Sequence, residues 1–510
     1  MIKNLVPREY QKNIAESALK KNTLVVLPTG TGKTIIAILV AVKRIKKYPD
    51  SQVMILAPTR PLAAQHKHMF EKFTILKPEE IALVTGRVKP SKRKEIYRIS
   101  KIVSATPQTI KNDLMEGRLS FSNFSLLVFD EAHRAVKDYP YPFIAKRYML
   151  QSSHPLILAL TASPGATKER IREIMKNLFI KNIEVRSEWD RDVKPYVKRV
   201  KREYVYVNFP KELEDVRENL YSLLDEILEW LKEHRFISSK RMPKKELIKT
   251  QKNVAAAYAR GEKNPINIWG MIRLSQAVKI FHAIEIMETQ EIEFLYEYLK
   301  KILSSKKRVD KMLAKDQRII KSYAKVKELI EKGYEHPKMN VLTRLVKKLL
   351  SEDPTVRIIV FANYRSTVEK ITKKLLNNNI LAHVFIGQAK KGGKGMNQKE
   401  QLETIEKFRK REFNVLVATS VGEEGLDIPA VEYVIFYEPV PSEIRTIQRR
   451  GRVGRQTVGK VFFLITKGTM DESYFFASLH KERKMRKILK NVKKVGLEEK
   501  KNLLDWTKAD

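Results

Sequence analysis

The chain has 510 residues, too many for one ordinary domain, so we expect two to four. Its formal net charge of +41 indicates a polyanionic partner, nucleic acid before all others, with a generally basic, thermophile-like surface as the alternative. The absence of cysteine excludes disulfides, thiolate zinc sites and thiol chemistry. Because no signal core or membrane-length apolar run is present, we expect a cytoplasmic protein.

The first predicted strand, residues 23–27, leads into a glycine-rich turn and a helix over residues 33–47. The turn reads Leu-Pro-Thr-Gly-Thr-Gly-Lys-Thr over residues 27–34, in the setting that a phosphate-binding loop requires. Its backbone N–H groups would surround the phosphates, and the helix N-terminus would add a favourable dipole. The residues expected to bind ATP are Thr29, Gly30, Thr31, Gly32, Lys33 and Thr34.

A second motif, Asp130-Glu131-Ala132-His133, follows the apolar run at residues 126–129. Lys33 would reach the β- and γ-phosphates, and Thr34 and Asp130 would hold Mg²⁺. Glu131 can polarise the attacking water. The two motifs together predict that the chain binds ATP with magnesium and hydrolyses it, with Lys33, Asp130 and Glu131 as catalytic residues.

Short apolar runs alternate with amphipathic stretches through the first 200 residues, and the pattern returns after Pro337. This alternation is typical of a parallel sheet covered by helices, which places its ligand at the carboxyl ends of the strands. We therefore expect an α/β protein with two such sheets. The further predicted strands are 53–57, 102–105, 126–129 and 156–160 in the first part, and 357–361, 383–386, 415–418, 433–436 and 461–465 in the second.

The region between the two α/β parts differs, because after a strand-like piece at 204–208 its apolar residues recur at helical spacing. Residues 232–279 hold twelve basic side chains against three acidic ones, including Lys244, Lys245 and Lys249. Such segregation predicts a basic face that follows phosphates, and a solvated helix surface is the alternative. We expect domains at 1–200, 201–335 (helical and basic) and 336–490, followed by a tail at 491–510.

Further motifs occur in a fixed order along the chain, the first upstream of the phosphate loop and the others after predicted strands. They are Arg8-Glu9-Tyr10-Gln11, Pro58-Thr59-Arg60-Pro61-Leu62, Ala105-Thr106-Pro107-Gln108, Thr161-Ala162-Ser163-Pro164, the segment 418–429 and Gln448-Arg449-Arg450-Gly451-Arg452-Val453-Gly454-Arg455. The set resembles superfamily 2 helicases of the DEAH-box type. With its basic helical insertion, the chain is similar to the archaeal Hef helicases, kin of the Fanconi anaemia M protein and of the RIG-I and Dicer helicases. The resemblance implies two RecA-like parallel-sheet lobes with a mainly helical domain inserted between them.

The resemblance also implies residue roles. Arg8 and Gln11 are similar to an adenine-reading element, and Gly425 and Asp427 to second-lobe residues that face the nucleotide. His133, Thr161 and Ser163 would couple hydrolysis to nucleic acid. Gln448 would act in catalysis, and Arg452 and Arg455 would be arginine fingers that stabilise the γ-phosphate charge. Contacts to the backbone of a nucleic-acid strand are implied for Thr59, Arg60, Thr106 and Thr419.

The function that the resemblance implies is an ATP-dependent DNA helicase or translocase on branched DNA, such as stalled forks and four-way junctions, in repair or fork restart. Two alternatives stay open: a duplex-RNA-dependent ATPase of the RIG-I/Dicer type, and an ATP-switched clamp that does not unwind. DNA binding is expected to be independent of sequence. Because the nuclease domain that follows the helicase in several of these proteins does not follow here, we expect a helicase-only member or a helicase fragment.

Overall fold

A computed structural model describes residues 1–165, 167–196, 201–261, 264–387, 395–419, 428–429, 431–438 and 459–498, with the backbone alone at 398, 490 and 492–498. Within these ranges the chain forms two parallel sheets and a helical region between them. This confirms the predicted fold class. None of the described helices is both long enough and apolar enough to cross a bilayer.

The first sheet contains seven strands in the order β3-β4-β2-β5-β6-β1-β7, all parallel. Its strands are β1 (Thr23–Val26), β2 (Gln52–Leu56), β3 (Ile81–Val84), β4 (Ile102–Ala105), β5 (Phe124–Phe129), β6 (Ile157–Thr161) and β7 (Asn182–Val185). The covering helices are α1 (Glu9–Ala18), α2 (Lys33–Lys47), α3 (Arg60–Phe73), α4 (Pro90–Ile99), α5 (Pro107–Met115), α6 (Pro140–Gln151) and α7 (Lys168–Asn177).

Both faces of this sheet are covered, so its central strands β1, β2 and β5 are buried at every position and are mostly apolar. Leu24 and Val26 face one core, whereas Val25 and Leu27 face the other, as the two-residue repeat of a strand requires. The five strands predicted here are confirmed. The edge strands β3 and β7 were missed. In β7 three of the four side chains are partly exposed and form no continuous apolar run, whereas β3 is a run of four apolar residues that was not among the predicted strands.

The helical region comprises α8 (Glu214–Glu233), α9 (Lys244–Ala259), α10 (Pro265–Thr289), α11 (Ile292–Ser304), α12 (Arg308–Ala314) and α13 (Gln317–Glu331). The long helix α10 lies at its centre and packs against α8, α9 and α11. The apolar residues that recur at helical spacing in α8 are buried in one core, as predicted. By contrast, α9 buries only Leu247, so most of its surface faces solvent.

The second sheet has the order β10-β11-β9-β12-β13-β8, again all parallel. Its strands are β8 (Lys201–Val207), β9 (Ile358–Phe361), β10 (Ala382–Phe385), β11 (Val415–Ala418), β12 (Tyr433–Phe436) and β13 (Lys460–Thr466). The helices are α14 (Pro337–Glu352), α15 (Arg365–Leu376), α16 (Gln398–Arg409) and α17 (Met470–Glu498). The five strands predicted in this part of the chain are confirmed.

Two predicted domain limits need correction. The strand β8, which was assigned to the helical insertion, pairs along its whole length with β13, from Lys201 beside Lys460 to Val207 beside Thr466, and so belongs to the second sheet. The limit at residue 490 falls inside α17, which continues to Glu498. The second half of this helix buries Met485, Ile488 and Leu489 in a core of the first sheet. The remaining limits stay predictions.

Three carboxylates attach the helical region to the second lobe. Tyr474 donates a hydrogen bond of 2.7 Å to Glu285, the Met470 N–H donates one of 2.7 Å to Glu288, and Tyr437 donates one of 2.5 Å to Glu291. Glu288 and Glu291 are almost fully buried. Since unpaired buried carboxylates are costly, these bonds hold the helical region to the second lobe in a defined orientation.

One of these carboxylates should make stability depend on pH. The hydrogen bond from His282, with those from Lys244 and Tyr474, lowers the pKa of Glu285 to about 2 against the opposing effect of burial. Because this value lies below that of the unfolded chain, the ionised group stabilises the fold above about pH 4.5, and this contribution is lost as the pH falls towards 2. We expect Glu285→Gln to lower the free energy of unfolding by about 1–2 kcal/mol at neutral pH, after allowance for solvent screening.

Chemical denaturation at stepped pH measures this difference between wild type and Glu285→Gln. We expect the difference to shrink below about pH 4.5. Glu297 on α11 is exposed, and Glu297→Gln is the matched control with no such trend. A difference for Glu285→Gln that is independent of pH would contradict the prediction.

Candidate ATP and nucleic-acid site

The predicted motifs of the first lobe meet at the carboxyl edge of its sheet. The neighbouring strands β1, β6 and β5 end in the phosphate loop, the Thr161 segment and Asp130, respectively. The adjacent strands β2 and β4 end before Thr59 and Thr106. ATP motifs therefore occupy one half of the edge and predicted nucleic-acid contacts the other, with β5 and β2 at the boundary.

Two glycines shape the phosphate loop. Gly30 and Gly32 have φ angles of +81° and +80°, which other residues rarely adopt. Inside the loop, the Thr31 hydroxyl donates to the Pro28 carbonyl at 2.6 Å, and the Lys33 ammonium donates to the Leu27 carbonyl at 3.3 Å. These bonds hold the loop in a turn directly before α2, as predicted for phosphate binding.

Leu27 occupies the position at which phosphate loops usually begin with glycine. It is fully buried, and its N–H donates to the Thr161 carbonyl at 3.1 Å. Leu27 therefore extends the pairing of β1 with β6 by one residue, and an apolar side chain suits this position better than glycine. The departure from the usual pattern has a structural cause and leaves the glycines nearer the phosphates in place.

Gln11 contacts the phosphate loop directly. Its amide nitrogen donates to the Thr31 carbonyl at 3.1 Å, and its amide oxygen accepts from the Arg8 N–H at 2.9 Å. Tyr10 also donates to the Thr31 carbonyl, at 2.5 Å. In this structure α1 thus supports the loop. Recognition of adenine by Arg8 and Gln11 stays a prediction.

The Asp130 carboxylate is held at both oxygens. One oxygen accepts from the Glu131 N–H at 2.9 Å, and the other lies 2.8 Å from Nε2 of His66 on α3. Burial alone would raise the pKa of Asp130, but the hydrogen bond from His66 and the charge of Lys33 outweigh it and hold the pKa below the usual range of an aspartate. Asp130 is therefore ionised at neutral pH. Sequence reasoning missed His66, because nothing local connects residues 64 positions apart.

Glu131 adopts an uncommon backbone conformation and has one unsatisfied oxygen. Its φ of +49° lies in the left-handed region, where non-glycine residues are strained. Its Oε2 atom is buried without a hydrogen-bond partner in the described part of the chain, although His133 Nδ1 lies 3.2 Å away. A carboxylate oxygen without a donor can accept a proton from water, as the predicted role of Glu131 requires.

The predicted coupling residues are in contact with one another. His133 Nδ1 lies 3.3 Å from the Thr161 hydroxyl, which accepts from the Ser163 N–H at 3.2 Å. The Ser163 hydroxyl in turn donates to the sulfur of Met485 on α17 at 2.9 Å. A continuous set of contacts therefore leads from the Asp130–His133 motif to the helix that also packs on the second lobe. Their coupling role stays a prediction.

The residues predicted to contact a nucleic-acid strand lie at the starts of helices and at the ends of β-strands. Thr59 and Thr106 precede α3 and α5, respectively, and Arg60 is exposed in the first turn of α3. Thr419 follows β11 in the second sheet, where its N–H donates to the Phe385 carbonyl at 3.1 Å. Helix N-termini offer N–H groups to phosphates, so Thr59, Arg60 and Thr106 suit this role.

The three lysines of α9 that are predicted to bind phosphates differ in their exposure and in their ion pairs. Lys244 is half-buried and forms an ion pair of 2.6 Å with Glu285, so the structure gives it an anchoring role between α9 and α10 instead. Lys245 and Lys249 are exposed, and neither forms an ion pair with any residue that the structure describes. The phosphate-binding prediction therefore rests on Lys245 and Lys249.

Five predicted site residues of the second lobe lie outside the described residues. They are Gly425, Asp427, Gln448, Arg452 and Arg455. Their roles stay predictions.

A divalent cation fits the residues of the first lobe. Asp130 is an ionised carboxylate, and the Thr34 hydroxyl stands in the first turn of α2 beside Lys33. Oxygen atoms of this kind are the ligands that Mg²⁺ prefers. Among the described residues, no group of three or more acidic or histidine side chains forms a metal site by itself. Such an ion would therefore depend on ATP phosphates for its remaining ligands.

Gly32 provides a direct test of the loop. A Cβ atom here would lie 2.5 Å from Gln11 Nε2, at a backbone φ of +80°. We expect Gly32→Ala to weaken binding of a fluorescent ATP analogue roughly tenfold or more, because the backbone conformation is strained for alanine and the clash displaces the Gln11 amide from the loop. Gly117→Ala is the matched control, since φ is +70° but no atom lies within 4 Å of the added Cβ. Equal nucleotide affinities in the two variants would refute the prediction.

Comparison with known proteins agrees with this geometry. Three family models match: "DEAD/DEAH box helicase" over residues 8–171, "Putative ATP-dependent RNA helicase, helical bundle" over residues 212–333, and "Helicase conserved C-terminal domain" over residues 337–457. The matches follow the order of first sheet, helical region and second sheet.

Curated relatives match over nearly the whole chain. A protein of Methanocaldococcus jannaschii named as a putative ATP-dependent RNA helicase is 44% identical over 96% of this chain and 61% of its own length. The ATP-dependent DNA helicase fml1 of Schizosaccharomyces pombe is 32% identical over 91% of this chain and 57% of its own length. The chain thus spans about three fifths of the length of these two relatives.

A solved structure, the crystal structure of the Pyrococcus furiosus Hef helicase domain, is 43% identical in sequence. The match covers 92% of this chain and 98% of that one, with a TM-score of 0.71. The chain belongs to the superfamily 2 helicases, which are ATP-driven enzymes, and it has the domain arrangement of the Hef helicase domain.

Proposed function

We propose that the chain is an ATP-dependent DNA helicase or translocase that acts on branched DNA, such as stalled forks and four-way junctions, in repair or fork restart. One observation carries the proposal. The ATP motifs and the residues predicted to contact nucleic acid lie at the same edge of one sheet, in a fold similar to the Hef helicase domain. Relatives named as DNA helicases, including fml1 and MPH1 of Pyricularia oryzae, support DNA as the substrate.

In the proposed mechanism, the loop N–H groups and Lys33 bind the phosphates of ATP. Magnesium, when bound with ATP by Thr34 and Asp130, would supply charge that offsets the negative phosphates. Glu131, with its unsatisfied oxygen, would take the proton of the attacking water. Arg452 and Arg455 would contribute positive charge from the second lobe, so hydrolysis would require the two lobes to close.

Nucleic acid would bind through its phosphates. Thr59, Arg60, Thr106 and Thr419 would contact one strand, and Lys245 and Lys249 on the exposed face of α9 would add basic contacts. Phosphate contacts carry no base information, so binding would be independent of sequence and would weaken steeply with salt.

Two other functions are compatible with the fold. The M. jannaschii relative is named as an RNA helicase, which favours testing a duplex-RNA-dependent ATPase. An ATP-switched clamp would use the same site without strand separation.

ATP turnover and strand separation, measured together, distinguish these functions. We expect forked DNA to stimulate turnover more than linear duplex DNA or duplex RNA, and strand separation or junction movement to accompany it. Stimulation by RNA alone would contradict the DNA proposal. Turnover that forked DNA stimulates without strand separation or translocation would favour the clamp.

The lysines of α9 provide a second prediction. We expect Lys245→Ala with Lys249→Ala to weaken DNA binding roughly three- to tenfold and to reduce the slope of log affinity against log salt by about 1.5, while ATPase activity without DNA persists. Fluorescence anisotropy over a salt series measures both quantities.

The control for these variants removes two exposed lysines elsewhere. Lys20 and Lys21 precede β1, at the opposite edge of the sheet from the site. Lys20→Ala with Lys21→Ala changes the net charge equally and should leave the slope nearly unchanged. Equal slopes in the two double variants would argue against a phosphate-binding face on α9.

A further inference from the structure

His66 is a buried polar residue that links two parts of the site. It lies in α3, and its exposed fraction is 4%. Its Nε2 atom lies 2.8 Å from the Asp130 carboxylate, across 64 positions of sequence. Its other ring nitrogen, Nδ1, is buried without a hydrogen-bond partner among the residues described here. The contact with Asp130 is therefore the polar interaction that defines the orientation of the ring.

This contact helps to determine where the Asp130 carboxylate points. The other carboxylate oxygen accepts from the N–H of the neighbouring Glu131, which belongs to the same turn. His66 supplies the contact from outside that turn. A shift of α3 would therefore turn or release one oxygen of a carboxylate that is expected to act on magnesium and ATP.

The same helix begins at the predicted nucleic-acid contacts. Thr59 immediately precedes α3 and accepts from the Leu62 N–H at 3.5 Å, and Arg60 is the first helical residue. Six residues separate Arg60 from His66, a distance of about 9 Å along a helix. A strand bound at this end of α3 thus lies less than two helical turns from the residue that touches Asp130.

The sheet also ties this helix to the third predicted contact. The Ser104 hydroxyl on β4 donates to the Ala63 carbonyl in α3 at 2.7 Å. Thr106 follows β4 by one residue. A hydrogen bond two residues before Thr106 therefore ties β4 to the helix that begins after Thr59, and His66 follows the bonded Ala63 by three residues on the same buried face.

We propose that His66 is a positioning residue that couples nucleic-acid binding at the start of α3 to the ATP site, through its hydrogen bond to the Asp130 carboxylate. The inference rests on the proposed function, because it assigns a route by which DNA stimulates ATP hydrolysis. Binding of a nucleic-acid strand fixes the position of the first turn of α3, and the hydrogen bond from His66 then fixes the orientation of the Asp130 carboxylate. Linkage makes the coupling reciprocal, so bound nucleotide changes DNA affinity by the same factor.

Two variants separate the hydrogen bond from packing. His66→Gln keeps an N–H donor, whereas His66→Leu fills the space without one. If His66→Leu does not fold, His66→Ala takes its place in the comparison. His68, exposed two residues further along α3, provides the matched control His68→Ala.

The experiment measures affinity for a fluorescent ATP analogue with Mg²⁺, with and without an oligothymidine strand, and affinity for labelled oligothymidine with and without the nucleotide. The ratio of affinities is the coupling factor. We expect His66→Leu to lower this factor at least fivefold, with each affinity alone within about threefold of wild type. We expect His66→Gln and His68→Ala to retain it, and DNA-stimulated turnover to follow the same order.

Three results would overturn the assignment. One is a coupling factor in His66→Leu equal to that of His66→Gln. Another is loss of coupling in a folded His66→Gln variant, which would show that the hydrogen bond is not sufficient. The third is a parallel fall of both affinities with the coupling intact, which is the signature of packing alone. If wild type itself shows neither coupling nor stimulation by DNA, the proposed function fails, and the role of His66 fails with it.

Discussion

The Asp130 N–H donates a hydrogen bond of 2.9 Å to the Leu56 carbonyl, where β5 and β2 end side by side. The Tyr141 hydroxyl reinforces this junction, because it donates to the Asp130 carbonyl at 2.6 Å and lies 3.2 Å from the Leu56 carbonyl. The ATP motifs lie on the β5 side of this junction, and the residues predicted to contact nucleic acid begin on the β2 side. The pairing of β5 with β2 therefore determines the distance between the ATP motifs and the predicted nucleic-acid contacts, and it determines which residues can connect them.

Two series of side-chain contacts start at this junction, one on each side along the edge of the sheet. Towards β6, His133 reaches Thr161, and the contacts continue through Ser163 to Met485. Towards β4, α3 crosses the sheet and brings His66 to Asp130. Neither route requires a long flexible connection, because parallel strands deliver their carboxyl ends to the same edge. The route through His66 ends on the buried, hydrogen-bonded carboxylate of Asp130.

Much of this architecture follows from the pattern of apolar residues, since strands buried on both faces read as continuous apolar runs. The edge strand β7 escaped this rule because solvent reaches most of its side chains, whereas β3 follows the rule with four apolar residues and was nevertheless missed. The membership of β8 depends on a pairing with β13, more than 250 residues later, which no local pattern contains. The same limit applies to His66, whose role is visible only when Asp130 lies beside it.

The lysines of α9 show why composition predicts a surface better than it predicts individual contacts. Lys244 and Lys245 are equivalent in sequence, yet the helical turn directs Lys244 towards Glu285 and leaves Lys245 in solvent. All residues of the phosphate loop could be named from the sequence because the motif consists of consecutive residues, and their roles in binding ATP stay predictions. The proposed arginine fingers are distant from it in sequence, and motif order alone connects them to ATP.

The helix α17 has a mechanical consequence for the whole molecule. Its 29 residues extend about 43 Å, and its first half packs Phe475 into the second lobe while Met485, Ile488 and Leu489 pack into the first. A helix of this length bends little, so the proposed closure of the lobes would either slide its second half across the first lobe or strain the helix. In the proposed mechanism, part of the resistance to closure would come from this helix, and substitutions on its buried face would change the rate of ATP turnover without altering a predicted contact with nucleotide or DNA.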